Sequence, residues 1–317
     1  MTASRVRLDR FVAPSEAGTR IDRTLAAWLD APRARVQEWL AAGHVRVDGE
    51  AISKSTRLRR GQRVTVTLPE SPPPPPAPPP VPVRYEDDHL AVVSKPAGLV
   101  VHPGAGVADA TLVDALRAAG MALAPALEDS ADVAGRAGIV HRLDRGTSGL
   151  LVVAKTVEVR DGLVAALQRR EIRREYWALV EGVPTPRRAT IDAPIARAAG
   201  NRTRFAVVAG GRPAITHYDV VAAHGRAAEL AIRLETGRTH QVRVHCASIG
   251  HPVVGDRAYG ASPLGTELGL ARPALHARRL AFTHPVTGEH VDVEEPLPDD
   301  LERARDALRT DPHDAHR

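Results

Sequence analysis

Residues 69–80 read Pro-Glu-Ser-Pro-Pro-Pro-Pro-Pro-Ala-Pro-Pro-Pro, nine prolines in twelve positions. Proline fixes φ and supplies no backbone donor, so neither a helix nor an interior strand passes through such a segment. The expectation is an extended, semi-stiff polyproline II spacer, and a tether between two folded parts is preferred over a ligand for a proline-recognition domain. The chain is therefore divided into a small module at 1–68, a linker at 69–82, a main body at 83–300 and a charged, frayed tail at 301–317. At 317 residues it is long enough for one large core beside a smaller one.

Charge separates the parts further. Residues 1–70 hold thirteen Arg/Lys against eight Asp/Glu, a net of +5, which is the net charge of the whole chain. A basic module on a neutral body points to a polyanion, nucleic acid being the usual one; a solvated basic face is the plainer reading. No apolar run approaches the ~20 residues of a membrane span, and the first residues have no apolar core of signal-peptide type. The one cysteine, Cys246, excludes an internal disulfide and a multi-cysteine metal site. These features point to the cytoplasm and to no membrane partner.

Within the module, Ile21, Leu25, Trp28 and Leu29 recur at helical spacing, and a second helix over about 33–42 presents Val36, Trp39 and Leu40. Two short alternating runs then flank Asp48-Gly49, a favoured hairpin turn, and Val64–Leu68 closes the module as a strand. Helix, helix, hairpin, a basic stretch (Lys54, Arg57, Arg59, Arg60, Arg63) and a final strand resemble the S4-like RNA-binding domain. That resemblance implies an RNA face on the second helix and the hairpin, here Arg33, Arg35, Arg46 and Lys54.

In the body, Leu90–Val93, Gly138–His141 and Leu150–Ala154 are apolar enough for buried strands, and Val157–Arg170 fits a helix. Arg174–Glu181 alternates, with Tyr176, Ala178 and Val180 on one face and Trp177 and Leu179 on the other. Pro213–Val221 and Ala228–Leu234 read as strands, and Leu275–Phe282 with His290–Val293 as a terminal hairpin. Short strands outnumber helices and neighbours are hairpin-linked. The fold class expected is α+β, a mixed, mainly antiparallel sheet flanked by helices.

The chemistry concentrates in Gly138-Ile-Val-His-Arg-Leu-Asp-Arg-Gly-Thr-Ser-Gly149. One carboxylate, Asp144, stands between Arg142 and Arg145 in a polar turn. Two nearby guanidiniums keep such an acid ionised, as suits a nucleophile or a charge stabiliser rather than a general acid. A second run, Leu234-Glu-Thr-Gly-Arg-Thr-His-Gln-Val-Arg-Val-His-Cys-Ala-Ser-Ile-Gly250, reads as a turn and a helix capped by Thr239, with Val242, Cys246 and Ile249 as its apolar stripe and Arg243 at the margin. His240 and His245 are five apart, poor spacing for helical metal ligands, and no acidic or thiol set completes a site; neither a metal nor another cofactor is expected.

The wording H-R-L-D-x-x-T-S-G and T-G-R-T-H-Q-V-R-V-H resembles the RluA/RluD-type pseudouridine synthases. Ser94–Gly104, Ala193–Arg197, Pro213–Tyr218, His251–Asp256 and Ala274–Ala277 match further motifs of that family in order. The resemblance implies Asp144 as the catalytic carboxylate, Tyr176 as the aromatic stacked on the target base, and Arg243 as the partner of Asp144. It places Arg142 in the gap left by a flipped-out base, and gives Arg145, Arg238 and His240 to RNA contact or to holding the turn. Isomerising uridine breaks the N-glycosidic bond, turns the freed uracil and joins its carbon-5 to the ribose. One carboxylate suffices because no water is consumed, in contrast to the pair a glycosidase uses. Attack on the ribose, attack on the pyrimidine, and proton abstraction to a glycal all stay open. The implied substrate is structured RNA, foremost 23S ribosomal RNA free or in an assembling large subunit, then transfer RNA, with the protein acting as a monomer. The reading of another class is a non-catalytic RNA-binding or ribosome-assembly factor.

Overall fold

The computed structural model describes residues 5–29, 31, 33–69, 78–102, 110–126, 137–200, 204–260 and 262–309. The chain divides into two compact units, Met1–Pro75 and Pro76–Arg317. Most of the proline run, residues 70–77, lies outside the described residues, as does 310–317.

In the first unit, strands β1 (Arg5–Phe11), β2 (Val45–Val47), β3 (Glu50–Ala51) and β4 (Arg63–Pro69) form one antiparallel sheet in the order β1-β4-β2-β3. Helices α1 (Ile21–Trp28) and α2 (Arg33–Ala41) bury Ile21 and Leu25, and Val36 and Leu40, pairs spaced one turn apart. They share a core with Val45, Val47, Val64 and Val66. Asp48 and Gly49 both have positive φ, 51° and 89°, the signature of a type I′ hairpin, and the Asp-Gly pair expected to turn the chain does so. β1 was not part of the sequence expectation; it adds an edge strand along the whole of β4.

The second unit is built on a nine-stranded sheet. Its strands are β5 (Val83–Glu86), β6 (Leu90–Lys95), β7 (Ser148–Ala154), β8 (Arg173–Glu181), β9 (Arg188–Asp192), β12 (Ile215–His224), β13 (Ala227–Leu234), β14 (Leu275–Thr283) and β15 (His290–Glu294). The order is β5-β6-β7-β14-β8-β13-β12-β9, with β15 paired to β14. Strands β10 (Ile195–Arg197) and β11 (Phe205–Val207) form a separate ribbon. Every pair in the large sheet is antiparallel except β7 with β14. Those two backbones meet closely at Gly149 (φ 110°), where a Cβ would stand 2.2 Å from the carbonyl oxygen of Ala277. Helices α3 (Leu112–Ala118), α4 (Val157–Gln168), α5 (Gln241–Ser248), α6 (Leu264–Glu267) and α7 (Asp299–Arg309) complete the unit. The mixed, mainly antiparallel α+β architecture is the one expected.

Three local expectations are corrected. Gly138–His141 is no strand: Gly138 turns at φ 68°, Ile139 makes one isolated bridge to Val153, and His141 Nε2 accepts from Val152 N at 3.2 Å. The charged tail expected from 301 is instead a packed helix to Arg309. Leu301, Ala304 and Leu308 lie on one face of α7, buried in the main core, and Arg309 Nη2 donates to Glu229 Oε1 at 3.3 Å. Thr239 does not cap α5; His240 does, at φ 58° and ψ 20°, with no side-chain cap.

Candidate active site

Asp144 lies on a short loop just before β7, and that loop is fastened on two sides. Gly98 N donates to Arg145 O at 2.7 Å while Arg145 Nε donates back to Gly98 O at 3.0 Å. Beneath them the buried Lys95 Nζ donates to Pro96 O (2.8 Å), Leu99 O (2.9 Å) and, more weakly, Arg145 O (3.4 Å). Burial pulls this ammonium down to about 7, with the Asp144 carboxylate opposing the fall. On the other side, Arg272 Nη1 donates to Gly146 O at 3.3 Å and Ser148 Oγ at 3.2 Å. Leu143 is buried, so the loop is anchored by an apolar side chain directly beside a carboxylate that keeps 15% of its own surface open.

α5 delivers the counter-charge. Arg243 Nη1 donates to Asp144 Oδ2 at 3.3 Å across 99 residues of sequence. Its Nε and Nη2 form a two-point contact with the buried Asp256, at 2.7 and 2.8 Å. The guanidinium expected beside Asp144 from its chain neighbours thus comes from Arg243; Arg142 is exposed and Arg145 is turned to Gly98. His240 Nε2 stands 4.0 Å from Asp144 Oδ1, and its Nδ1 is 2.8 Å from the hydroxyl of Tyr259. Burial holds this imidazole below its ordinary range, against the pull of Asp144.

Tyr176 of β8 is 7% exposed and in register with Ala277 of β14 and Ile232 of β13. Burial raises its phenol, Arg174 opposes that, and the field of Asp144 adds to it, which puts ring and carboxylate in one neighbourhood. Trp177 faces the other way and donates Nε1 to Glu229 Oε2 at 2.9 Å, so of the two aromatics only Tyr176 shares the carboxylate's side. A concavity of about 850 Å³ does exist against α7, with both Tyr176 and Trp177 among its lining residues, but neither Asp144 nor Arg243 lines it, and its arginines 188 and 309 are paired to Asp219 and Glu229.

Arg238 belongs to the turn: its Nε donates to Pro213 O at 2.9 Å and its backbone N to Gln241 Oε1 at 2.9 Å. In the first unit Arg33, Arg35, Arg46 and Lys54 are all exposed. Arg33 donates to the buried Asp22 at 2.8 Å, Arg35 lies over Trp39 at 5.8 Å, and Arg46 donates to Gly49 O at 3.0 Å. Asp256 and Tyr259 were missed. Asp256 lies in the His251–Asp256 segment, for which the sequence suggests no role, and nothing in the spacing announces that it reaches Arg243.

Two buried histidines give a pH dependence of stability. Burial takes His141 down to about 3, helped by Arg174, and His276 down to about 4. Both are neutral in the fold, whereas the unfolded chain protonates near pH 6.5. The unfolded state binds more protons below that point, so stability is fully present above pH 6.5 and falls as the pH drops from there toward 4. Urea melts across that range should show a loss on the order of several kcal/mol; a flat profile would exclude neutral burial of both rings.

Among the described residues no helix is long and apolar enough to cross a membrane. The family model described as RNA pseudouridylate synthase matches residues 89–248, and the S4 domain model matches 19–64. The chain is 41% identical over 296 residues to the Ribosomal large subunit pseudouridine synthase D of Vibrio parahaemolyticus, covering 88% of each, and 41% identical over 292 residues to that of Yersinia pestis, covering 88% of this chain and 87% of the other. Among solved structures it is similar to Human RNA Pseudouridylate Synthase Domain Containing 1, with a TM-score of 0.54 and 27% identity over 73% of this chain and 96% of that one. With this pattern running from β6 through α5, and with likeness sustained along nearly nine-tenths of its length, the chain belongs to the RNA pseudouridylate synthases, which isomerise uridine in RNA to pseudouridine.

Proposed function

We propose that the chain converts specific uridines of large-subunit ribosomal RNA to pseudouridine, with Asp144 as the catalytic carboxylate, Arg243 as its cationic partner and Tyr176 as the aromatic that receives the extruded base. The observation that carries this reading is the Asp144–Arg243 pair, a mostly buried carboxylate with 15% of its surface open, held at 3.3 Å by a cation that is itself fixed. Its relatives named for the large ribosomal subunit support that RNA over transfer RNA. Extruding a paired uridine costs a few kcal/mol, and stacking on an aromatic returns about 1–3 kcal/mol per base. Arg142, exposed two residues from Asp144, is suited to fill the vacated place in the RNA stack with its planar guanidinium.

Residues 1–68, tethered by 69–82 to the body at 83–300, supply RNA affinity. The protein works in the cytoplasm as a monomer that needs no metal. The test is to incubate the protein with 23S transcripts and with transfer RNA and to map pseudouridine by carbodiimide-dependent primer-extension stops. Stops in the 23S transcript are expected; stops confined to transfer RNA would overturn the substrate, and none in either would overturn the assignment. Replacing Arg33, Arg35, Arg46 and Lys54 together by alanine should weaken RNA binding and lower the slope of log affinity against log salt by about 3. An unchanged slope would remove that face from the phosphate contacts.

A further inference from the structure

We propose that Asp256 and Tyr259 are positioning residues of the isomerisation: Asp256 aims Arg243 at one oxygen of Asp144, and Tyr259 aims His240 at the other. The inference rests on Asp144 as the reacting carboxylate. A guanidinium presents its donors in a fixed plane. Asp256, 2% exposed, takes Nε and Nη2 of Arg243 at 2.7 and 2.8 Å, so the direction left for Nη1 is the one that meets Asp144 Oδ2. The same carboxylate also sets the next part of the site. Its Oδ1 accepts from Ala258 N (3.0 Å) and Tyr259 N (3.3 Å), and Gly260 N closes the turn on Asp256 O at 2.7 Å. That turn lays the Tyr259 ring against the guanidinium, with Cζ of Arg243 5.0 Å from the ring centroid.

Tyr259 then passes the constraint to His240. The backbone N of Phe205 donates to the Tyr259 hydroxyl at 2.9 Å, which leaves the hydroxyl proton for His240 Nδ1 at 2.8 Å. An imidazole that accepts at Nδ1 carries its own proton on Nε2 when neutral, and Nε2 is the atom 4.0 Å from Asp144 Oδ1. The backbone of His240 is left-handed, φ 58°, a conformation a non-glycine residue keeps only when its surroundings impose it. Here Phe205 and Tyr259 hold the ring edge-on, each with centroids at 5.6 Å. A buried ion pair such as Arg243–Asp256 is weak evidence for stability, because desolvation offsets its attraction. Its distinct consequence in this fold is directional: both oxygens of Asp144 face an N–H.

The groups facing His240 are Asp144 and Arg142 of the catalytic loop, Arg243 of its own helix, and Asp256 and Tyr259 of the following turn. Among these, Tyr259 is the one that occupies Nδ1 as a donor and so opposes protonation there. Removing it lets His240 protonate at higher pH and bind Oδ1 as a cation, which holds the carboxylate back from reaction.

The experiment measures single-turnover rate, RNA affinity, thermal midpoint and the pH–rate profile of Asp256→Asn, Tyr259→Phe and Asp144→Asn in the full chain. The substrate is an RNA that the unaltered protein converts. Tyr259→Phe should lose on the order of 10²-fold in rate, keep its RNA affinity and thermal midpoint, and move the acid limb of its profile to higher pH. Asp256→Asn should lose at least as much rate. Tyr259→Phe at full rate with an unmoved profile overturns the inference, as does a rate loss in both variants that follows loss of the folded state. Turnover by Asp144→Asn would overturn the reading beneath it and this inference with it; inert Asp144→Asn beside fully active Asp256→Asn and Tyr259→Phe would overturn this inference alone.

Discussion

Asp144→Asn is expected to bind RNA as the unaltered protein does and to convert none of it, with the rate lower by at least about 10⁴-fold. The amide is the same size as the carboxylate and still offers an oxygen to Arg243 Nη1, now 3.3 Å away. Arg243 meanwhile keeps its two contacts with Asp256, so no buried charge is stranded and the thermal midpoint should hold. What the substitution removes is the negative charge and the lone-pair basicity that each open route requires, whether attack on ribose, attack on pyrimidine or proton abstraction. Carbodiimide mapping and a binding assay on one RNA separate the two properties. Product at a comparable rate from both proteins would show that some other group does the chemistry, and lost binding in the variant would show that Asp144 serves recognition instead.

What was legible in the sequence follows from how local each determinant is. The Asp48-Gly49 hairpin was visible because two consecutive positive φ angles are a property of those residues. The two faces of β8 were visible because alternation is a property of the strand, and the separation of Tyr176 from Trp177 came with it. α7 was hidden by composition: in Asp299–Arg309 four apolar residues among seven charged ones leave the segment polar on average, although 301, 304 and 308 define a clean face. Gly138–His141 was apolar enough for a strand, but its fate is decided by a turn at Gly138 and by the ring of His141 meeting a β7 amide. The left-handed His240 and the reach of Asp256 to Arg243 are set by contacts with Phe205 and Tyr259 and by the turn after residue 256, none of which spacing along the chain encodes.

Arg243→Met carries the second large effect, and it falls on folding and rate together. The substitution fills similar volume but leaves the buried Asp256 without its cation, with two backbone amides as its remaining partners. Stranding one member of a buried pair costs about 3–5 kcal/mol, which for a domain of this size lowers the thermal midpoint by on the order of 10 °C. Turnover should vanish as well, since Asp144 loses the cation that orients it. Arg243→Lys separates the two losses: an ammonium restores charge to the cluster, and with it part of the stability, but it has no planar fork to hold Asp256 and Asp144 at once. The companion variant Arg243→Met with Asp256→Leu removes both charges, so its thermal midpoint should stand above that of Arg243→Met while its turnover stays absent. A double variant no more stable than the single one would mean that the loss comes from packing around α5 rather than from an uncompensated carboxylate, and a double variant that regained turnover would remove Arg243 from the reaction altogether.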